Sequence, residues 1–212
     1  MQRINASFFK GRPTTKITKE LLGKKLVYNS PTGVISGWIV EAESYLGEND
    51  SAAHAYQGRR SSFNEPLYHE AGVIYIYQRR QHFLFDVVTQ DKEEPEGILV
   101  RAVEPAEGIE LMKMNRPIKN EFELTNGPAK LMQAYGIQDR SRNFELISKC
   151  SDLTIDLEDA RIPLNIISTP RIGVNLNGSS GSREWRFYVA GNPYVGKIKK
   201  GEIDFQNWGW QK

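Results

Sequence analysis

Apolar residues in this chain fall mostly in short alternating or continuous runs, and only three stretches recur at helical spacing. Residues 25–28 read as a strand, and the Ser30-Pro31-Thr32-Gly33 turn feeds a second strand from 34 to about 45. Residues 73–77, 83–88 and 98–103 are apolar runs of strand length, expected to lie side by side in the interior. Shorter strands are predicted at 153–155, 172–175 and 185–189. Helical patterns cover 17–22, halted by Gly23, then 105 to about 114, and 127 to about 135 behind Gly127-Pro128. Strands cluster early with helices placed irregularly among them. This predicts an α+β fold rather than a regular βαβ alternation. No repeat, low-complexity tract or Gly/Ser linker interrupts the chain, so a single domain over 1–212 is expected. Residues 48–71 are polar and irregular, a loop long enough to suggest a function.

Composition narrows the chemistry. The chain has 212 residues, 39% hydrophobic and 25% charged, a globular mixture large enough to bury a core without a disulfide or metal staple. Its one cysteine, Cys150, excludes an intramolecular disulfide, a thiolate-rich zinc site and an iron–sulfur cluster. No apolar run approaches the roughly 20 residues that span a bilayer. The expectation is a protein free of the membrane, in the cytoplasm, or in the nucleus if the source is eukaryotic. Net charge is only +2, but it is unevenly spread. Residues 1–25 carry seven basic side chains against Glu20 alone, whereas residues 91–110 carry seven acidic ones against Lys92 and Arg101. Such polarity can offer nucleic acid a basic face, although ordinary solvated surfaces account for it as simply.

One segment concentrates candidate chemistry: Val40-Glu41-Ala42-Glu43-Ser44-Tyr45-Leu46-Gly47. On a strand, Glu41, Glu43 and Tyr45 share one face and Val40, Ala42, Ser44 and Leu46 the other. Two carboxylates in a strand otherwise fit for burial are costly unless partnered or used. The plainer alternative is an exposed sheet face with surface glutamates. Arg101, the single charge in an apolar run, would need an anion if buried, and a glutamate from a neighbouring strand is the natural candidate. His54 returns the 48–71 loop toward that strand, and Arg59, Arg60, Ser61 and Ser62 beyond it suit phosphates. Tyr75 and Tyr77 share a strand face, as core aromatics or as a stacking wall. Phosphate-loop, dinucleotide, zinc-helix and nucleophile-elbow motifs are all missing.

Eight blocks in order resemble the alkyladenine (3-methyladenine) DNA glycosylase family, the single-domain type without a helix-hairpin-helix. They are Leu21–Leu26, the VEAESYLG segment, Ala52-Ala53-His54, Ile74–Tyr77, Leu99–Pro105, Asn126–Leu131, Pro170–Val174 and Arg186–Pro193. The resemblance implies a curved, mostly antiparallel sheet with surrounding helices. It also implies excision of alkylated purines from double-stranded DNA by a monomer, without cofactor or metal. By position, Glu43 would activate the water, with Arg101 and the main-chain carbonyl of Ile172 helping to hold it. Tyr45, His54 and Tyr77 would sandwich the flipped base, with Ala52 and Asp86 in the same pocket. No lysine matches a Schiff-base nucleophile, which implies a monofunctional hydrolase.

The chain departs from the family at two places. Where relatives carry a Tyr-Gly pair whose tyrosine wedges into the duplex, this chain reads Gln78-Arg79-Arg80-Gln81-His82. Arg80 is the first candidate for the wedge, with Arg79 and Gln81 next, and Arg59 is a further DNA contact. Asp86 stands where many relatives have asparagine; an extra acceptor and a negative charge in the pocket are expected from it, unless it pairs with Arg79, Arg80 or His82. Two other readings use the same residues. One is a non-catalytic damaged-DNA-binding protein. The other is a sugar-polymer hydrolase using Glu41 and Glu43, although adjacent carboxylates on one face do not bracket a scissile bond.

Overall fold

The computed structural model describes residues 1–212 as one α+β body. Strands β1 (Lys25–Ser30), β2 (Gly33–Tyr45), β3 (Ile74–Arg79), β4 (His82–Thr89), β5 (Glu96–Glu107), β6 (Leu153–Asp156), β7 (Ile166–Thr169) and β8 (Arg186–Val189) form one antiparallel sheet. The main path runs β3-β4-β5-β2-β1-β6, with β7 attached through β8 to β2. The sheet curls into a half-barrel. Helices α1 (Thr14–Leu21), α2 (Ile109–Asn115) and α3 (Pro128–Tyr135) pack around it. No helix is long and apolar enough to cross a membrane.

Strand β2 organises the sheet because it has partners on both edges and changes one of them midway. β5 lines one edge over most of its length. On the other edge β1 pairs with Gly33–Trp38, and β8 takes over at Glu41–Glu43. Register shifts against β5 between Ile39 and Ala42 mark the change-over. Such bulges bend a strand and re-aim its side chains. Val40 and Ala42 enter the main core with Phe187 and Val100, while Glu41, Glu43 and Tyr45 face the other way, as their alternation predicts. A smaller cluster of Tyr68, Tyr75, Tyr77, Leu84 and Leu99 packs apart from that core, with Tyr45 against it.

Two expected elements are corrected. Residues 105–107 continue β5, and the helix begins at Ile109 after Gly108, whose φ of +70° breaks the strand. Pro105 looked like a helix opener, yet it sits at a register shift opposite Gly37, where a missing N–H is tolerated. Residues 172–175 are a turn rather than a strand: Gly173 has φ +80°, and the Ile172 N–H bonds a side chain instead of a ladder partner. The strand of that region is β7, slightly upstream. The other predicted elements fall close to those observed, and 48–71 contains only short 3-10 turns.

Candidate active site

Two carboxylates two residues apart on β2 are wholly buried and differently partnered. Glu41 Oε1 accepts from Arg101 Nε on β5 and Arg186 Nε on β8, both at 2.7 Å, and its Oε2 accepts from the Gly196 N–H at 2.7 Å. A Cβ on Gly196 would stand 2.9 Å from that oxygen, so only glycine lets the backbone approach so closely. Glu41 is therefore a brace, tying three segments to the point where β2 changes partner.

Glu43 Oε1 accepts from the Ile172 N–H at 2.8 Å and faces Arg101 Nη1 at 3.2 Å, while Oε2 accepts from the Tyr45 hydroxyl at 2.9 Å. Burial pushes its carboxyl above the usual range; Arg101, the Ile172 amide and Tyr45 pull it back, and the Glu41 charge pushes it up. Burial and the Glu43 charge hold the Tyr45 phenol well above its ordinary value, so it remains a donor. The exposed-glutamate alternative is excluded, and Arg101 has the glutamate partners its burial demands. Ile172 reaches the site, but its observed contact with Glu43 is made by the N–H rather than the carbonyl.

Beside this centre lies a cavity of about 350 Å³, lined by Tyr45, His54, Phe63, Tyr77 and Asp86 and closed by Gly173–Asn175. That volume is at the small end for ligand pockets. The His54 ring stands edge-on to Tyr77 at 4.7 Å and its Nδ1 is 2.9 Å from the Tyr75 hydroxyl, while Tyr75 and Tyr77 stack at 5.0 Å. Desolvation by the rings packed around it, and then the Arg79 charge, hold the His54 pKa below its ordinary value. Ala52 lines the cavity, its N–H donating to Asp50 Oδ1 at 3.0 Å. Asp86 also lines it and pairs with none of Arg79, Arg80 or His82.

The basic candidates lie outside. Arg79 is at the mouth, donating to the Gly173 carbonyl at 3.4 Å. Arg80 and Gln81 form the exposed tip of the β3–β4 hairpin, Arg80 at φ +57°. Arg59 is exposed, its guanidinium 5.7 Å from the Tyr56 ring centroid, and does not line the cavity. No cluster of three or more His, Cys, Asp or Glu side chains has the arrangement to hold a metal ion.

Sequence reasoning missed the clasp that assembles these parts. Arg171 and Asp50, both wholly buried, form a bidentate pair at 2.6 and 2.7 Å, and Arg171 also donates to the Ser44 carbonyl at 2.9 Å. The clasp brings the 48–71 loop, β2 and the turn carrying Ile172 together, and the Arg171 guanidinium lies 4.5 Å from the Tyr45 ring centroid. A lone arginine between Pro170 and Ile172 was the available signal. Phe63, an aromatic residue in a polar loop, was the signal for the missed cavity wall.

A buried carboxylate with an arginine and an amide upon it, hydrogen-bonded to a tyrosine of a small aromatic cavity, sets polar groups behind flat aromatic walls. The chain belongs to the methylpurine-DNA glycosylase family, whose model matches residues 7–193. A protein of Latilactobacillus sakei named "Putative 3-methyladenine DNA glycosylase" is 50% identical over 210 residues, covering 99% of this chain and 98% of its own length. Proteins of the same name from Lactobacillus helveticus and Staphylococcus saprophyticus are 48% and 40% identical, covering 97% and 96% of this chain and 98% of each relative.

Proposed function

We propose that the whole chain acts as one monofunctional DNA glycosylase domain, a monomer that removes 3-methyladenine, and 7-methylguanine with it, from double-stranded DNA. Glu43 is the observation that carries this reading: a buried carboxylate, raised by burial, hydrogen-bonded on both oxygens and set beside an aromatic cavity. A base within a duplex is out of reach of such a cavity, so the nucleotide is flipped into it, at an expense of a few kcal/mol. Tyr45 forms one wall of the stack and His54 with Tyr77 the other; stacking and cation–π attraction favour purines made positive by alkylation.

Glu43 takes a proton from a water whose oxygen forms the new bond to C1′. The N-glycosidic bond breaks, its electron pair leaves with the base, and an abasic site remains. Arg101, fixed by Glu41, faces the same carboxylate and holds the water. The main-chain carbonyl of Ile172 is its third contact. Arg59, Arg79, Arg80 and Gln81 contact the DNA, with Arg80 occupying the gap in the duplex. The relatives named above are bacterial, which supports action on the chromosome in the cytoplasm.

The test is incubation with methylated DNA and assay of free base. Release of 3-methyladenine by the wild type, lost in Glu43→Gln with damaged-DNA binding retained, supports the reading. Tight binding without release favours a non-catalytic damage-binding protein, and near wild-type excision by Glu43→Gln overturns the assignment of the base. Activity is expected to survive EDTA; loss of activity restored by a divalent ion would show a metal requirement.

A further inference from the structure

Of the polar groups in the cavity wall, Asp86 is left without a partner. It lies on β4 between Tyr75 on β3 and Leu99 on β5, and it is only 5% exposed. Its Oδ1 is buried with no hydrogen bond, and its carboxylate enters no ion pair. The basic groups nearest in sequence are engaged elsewhere: Arg79 with the Gly173 carbonyl, His82 with Gln133, while Arg80 is exposed at the hairpin tip. A buried charge without a counter-ion is strongly disfavoured, and an orphaned acid facing a cavity is completed by whatever the cavity binds.

We infer that Asp86 sorts bases by charge, meeting a cationic purine as a carboxylate and a neutral purine as a carboxylic acid. The inference rests on the base-excision reading above and adds the class of base that the site prefers. Its surroundings support it from every side. β3 presents Tyr75 and Tyr77; β2 presents Glu43 and Tyr45; Arg101 on β5 is held by Glu41 and Glu43. The 48–71 loop presents His54, whose pKa is held below its ordinary value, and residues 173–175 bring no titratable side chain. Burial first, and the Glu43 charge second, raise the Asp86 carboxyl well above its ordinary value. Burial without a counter-ion and the Glu43 charge both favour the protonated form of Asp86 in the free protein.

The proton accounting is direct. When a cationic purine enters, Asp86 loses its proton to solvent and the resulting carboxylate faces the positive ring, where attraction exceeds that in water. When a neutral purine enters, Asp86 keeps its proton and can donate a hydrogen bond to a ring acceptor. Binding of the cation therefore strengthens as pH rises, until Asp86 ionises in the free protein. Binding of the neutral base gains nothing from the same change.

The experiment places two duplexes in competition, one carrying 7-methylguanine and one hypoxanthine, and reads the ratio of their kcat/KM values from about pH 5.5 to about 7. Glu43 serves both substrates, so its own ionisation cancels in the ratio. In the wild type the ratio climbs with pH, approaching about tenfold per pH unit. In the nearly isosteric Asp86→Asn the slope is smaller and the preference for 7-methylguanine narrows. Equal slopes and equal ratios in the two proteins overturn the inference while leaving base excision intact. If Asp86→Asn does not fold, Asp86→Ser supplies the comparison. A neutral purine takes up a proton as it leaves and a cationic one does not, so the readout is the difference in slope between variant and wild type, and equal slopes overturn the inference. Failure of the wild type to release either base overturns the excision reading and this inference together.

Discussion

Two buried knots of carboxylate and arginine are built into β5 and its neighbours, and they are finished differently. Away from the cavity, Glu104 accepts from Arg161, from Asn192 at 2.6 Å and from the Trp210 indole at 2.7 Å, and the Arg161 guanidinium lies 3.5 Å over the Trp38 ring. Every donor there comes from the protein, and the Trp38 and Trp210 rings flank Arg161, which is partly exposed at a surface depression. At the site, Glu43 is equally buried, and Tyr45, which donates to it, lines the aromatic cavity. The first knot closes the carboxy-terminal segment onto the sheet. The second sets Glu43 one hydrogen bond behind the wall of the aromatic cavity. What separates the two knots is the kind of space their donors line, an aromatic cavity with an unpartnered acid for one and an open surface depression for the other.

Substitutions at matched positions can break that distinction. Glu43→Gln is expected to lower base release by about 10²–10⁴-fold with little change in unfolding temperature. Glu104→Gln is expected to lower stability by about 1–3 kcal/mol in denaturant unfolding while kcat is retained at a permissive temperature. Similar kinetic losses in the two variants would abolish the distinction. Asp50→Asn leaves Arg171 buried with its counter-ion gone, so a stability loss of about 3–5 kcal/mol is expected, with reduced kcat from the displaced Ile172 amide.

A finer probe is Tyr45→Phe, which keeps the ring and removes one hydrogen bond that lowers the Glu43 pKa. Glu43 must be ionised to take a proton, so activity falls as pH drops through its pKa. Losing that hydrogen bond moves the acid limb of the kcat profile to higher pH, by less than about one unit. An unmoved limb would place the essential ionisation elsewhere. The smallest effect is expected from Arg80→Ala, a few-fold weaker capture of damaged duplex with undamaged binding nearly kept; equal losses on both would make Arg80 a phosphate contact.

Local pattern made some of this legible. Alternation put Glu41, Glu43 and Tyr45 on one face of a strand, and the isolated charge of Arg101 announced a partner across the sheet. Two proline and glycine signals misled, because Pro105 opens helices as readily as it sits at a bulge, and 172–175 has strand composition without a ladder. The Asp50–Arg171 clasp and the second arginine on Glu41 were hidden for another reason. Their partners lie 121 and 145 positions apart, and no local periodicity carries such information. Similarly, Asp86 could be placed near the pocket by resemblance, but its lack of a partner is a property of packing.

The change of partner along β2 also sets the order in which the molecule can be completed. Glu43, Arg101 and the aromatic wall all precede Arg186 on β8 and the Gly196 amide in the chain, so synthesis delivers them first. Until they arrive, Glu41 has one of its two arginines and the upper edge of β2 has no neighbour. Contacts of such sequence separation close late, after local hairpins have formed. A nascent chain thus holds both glutamates of β2 while the strand that squares them up is still unmade.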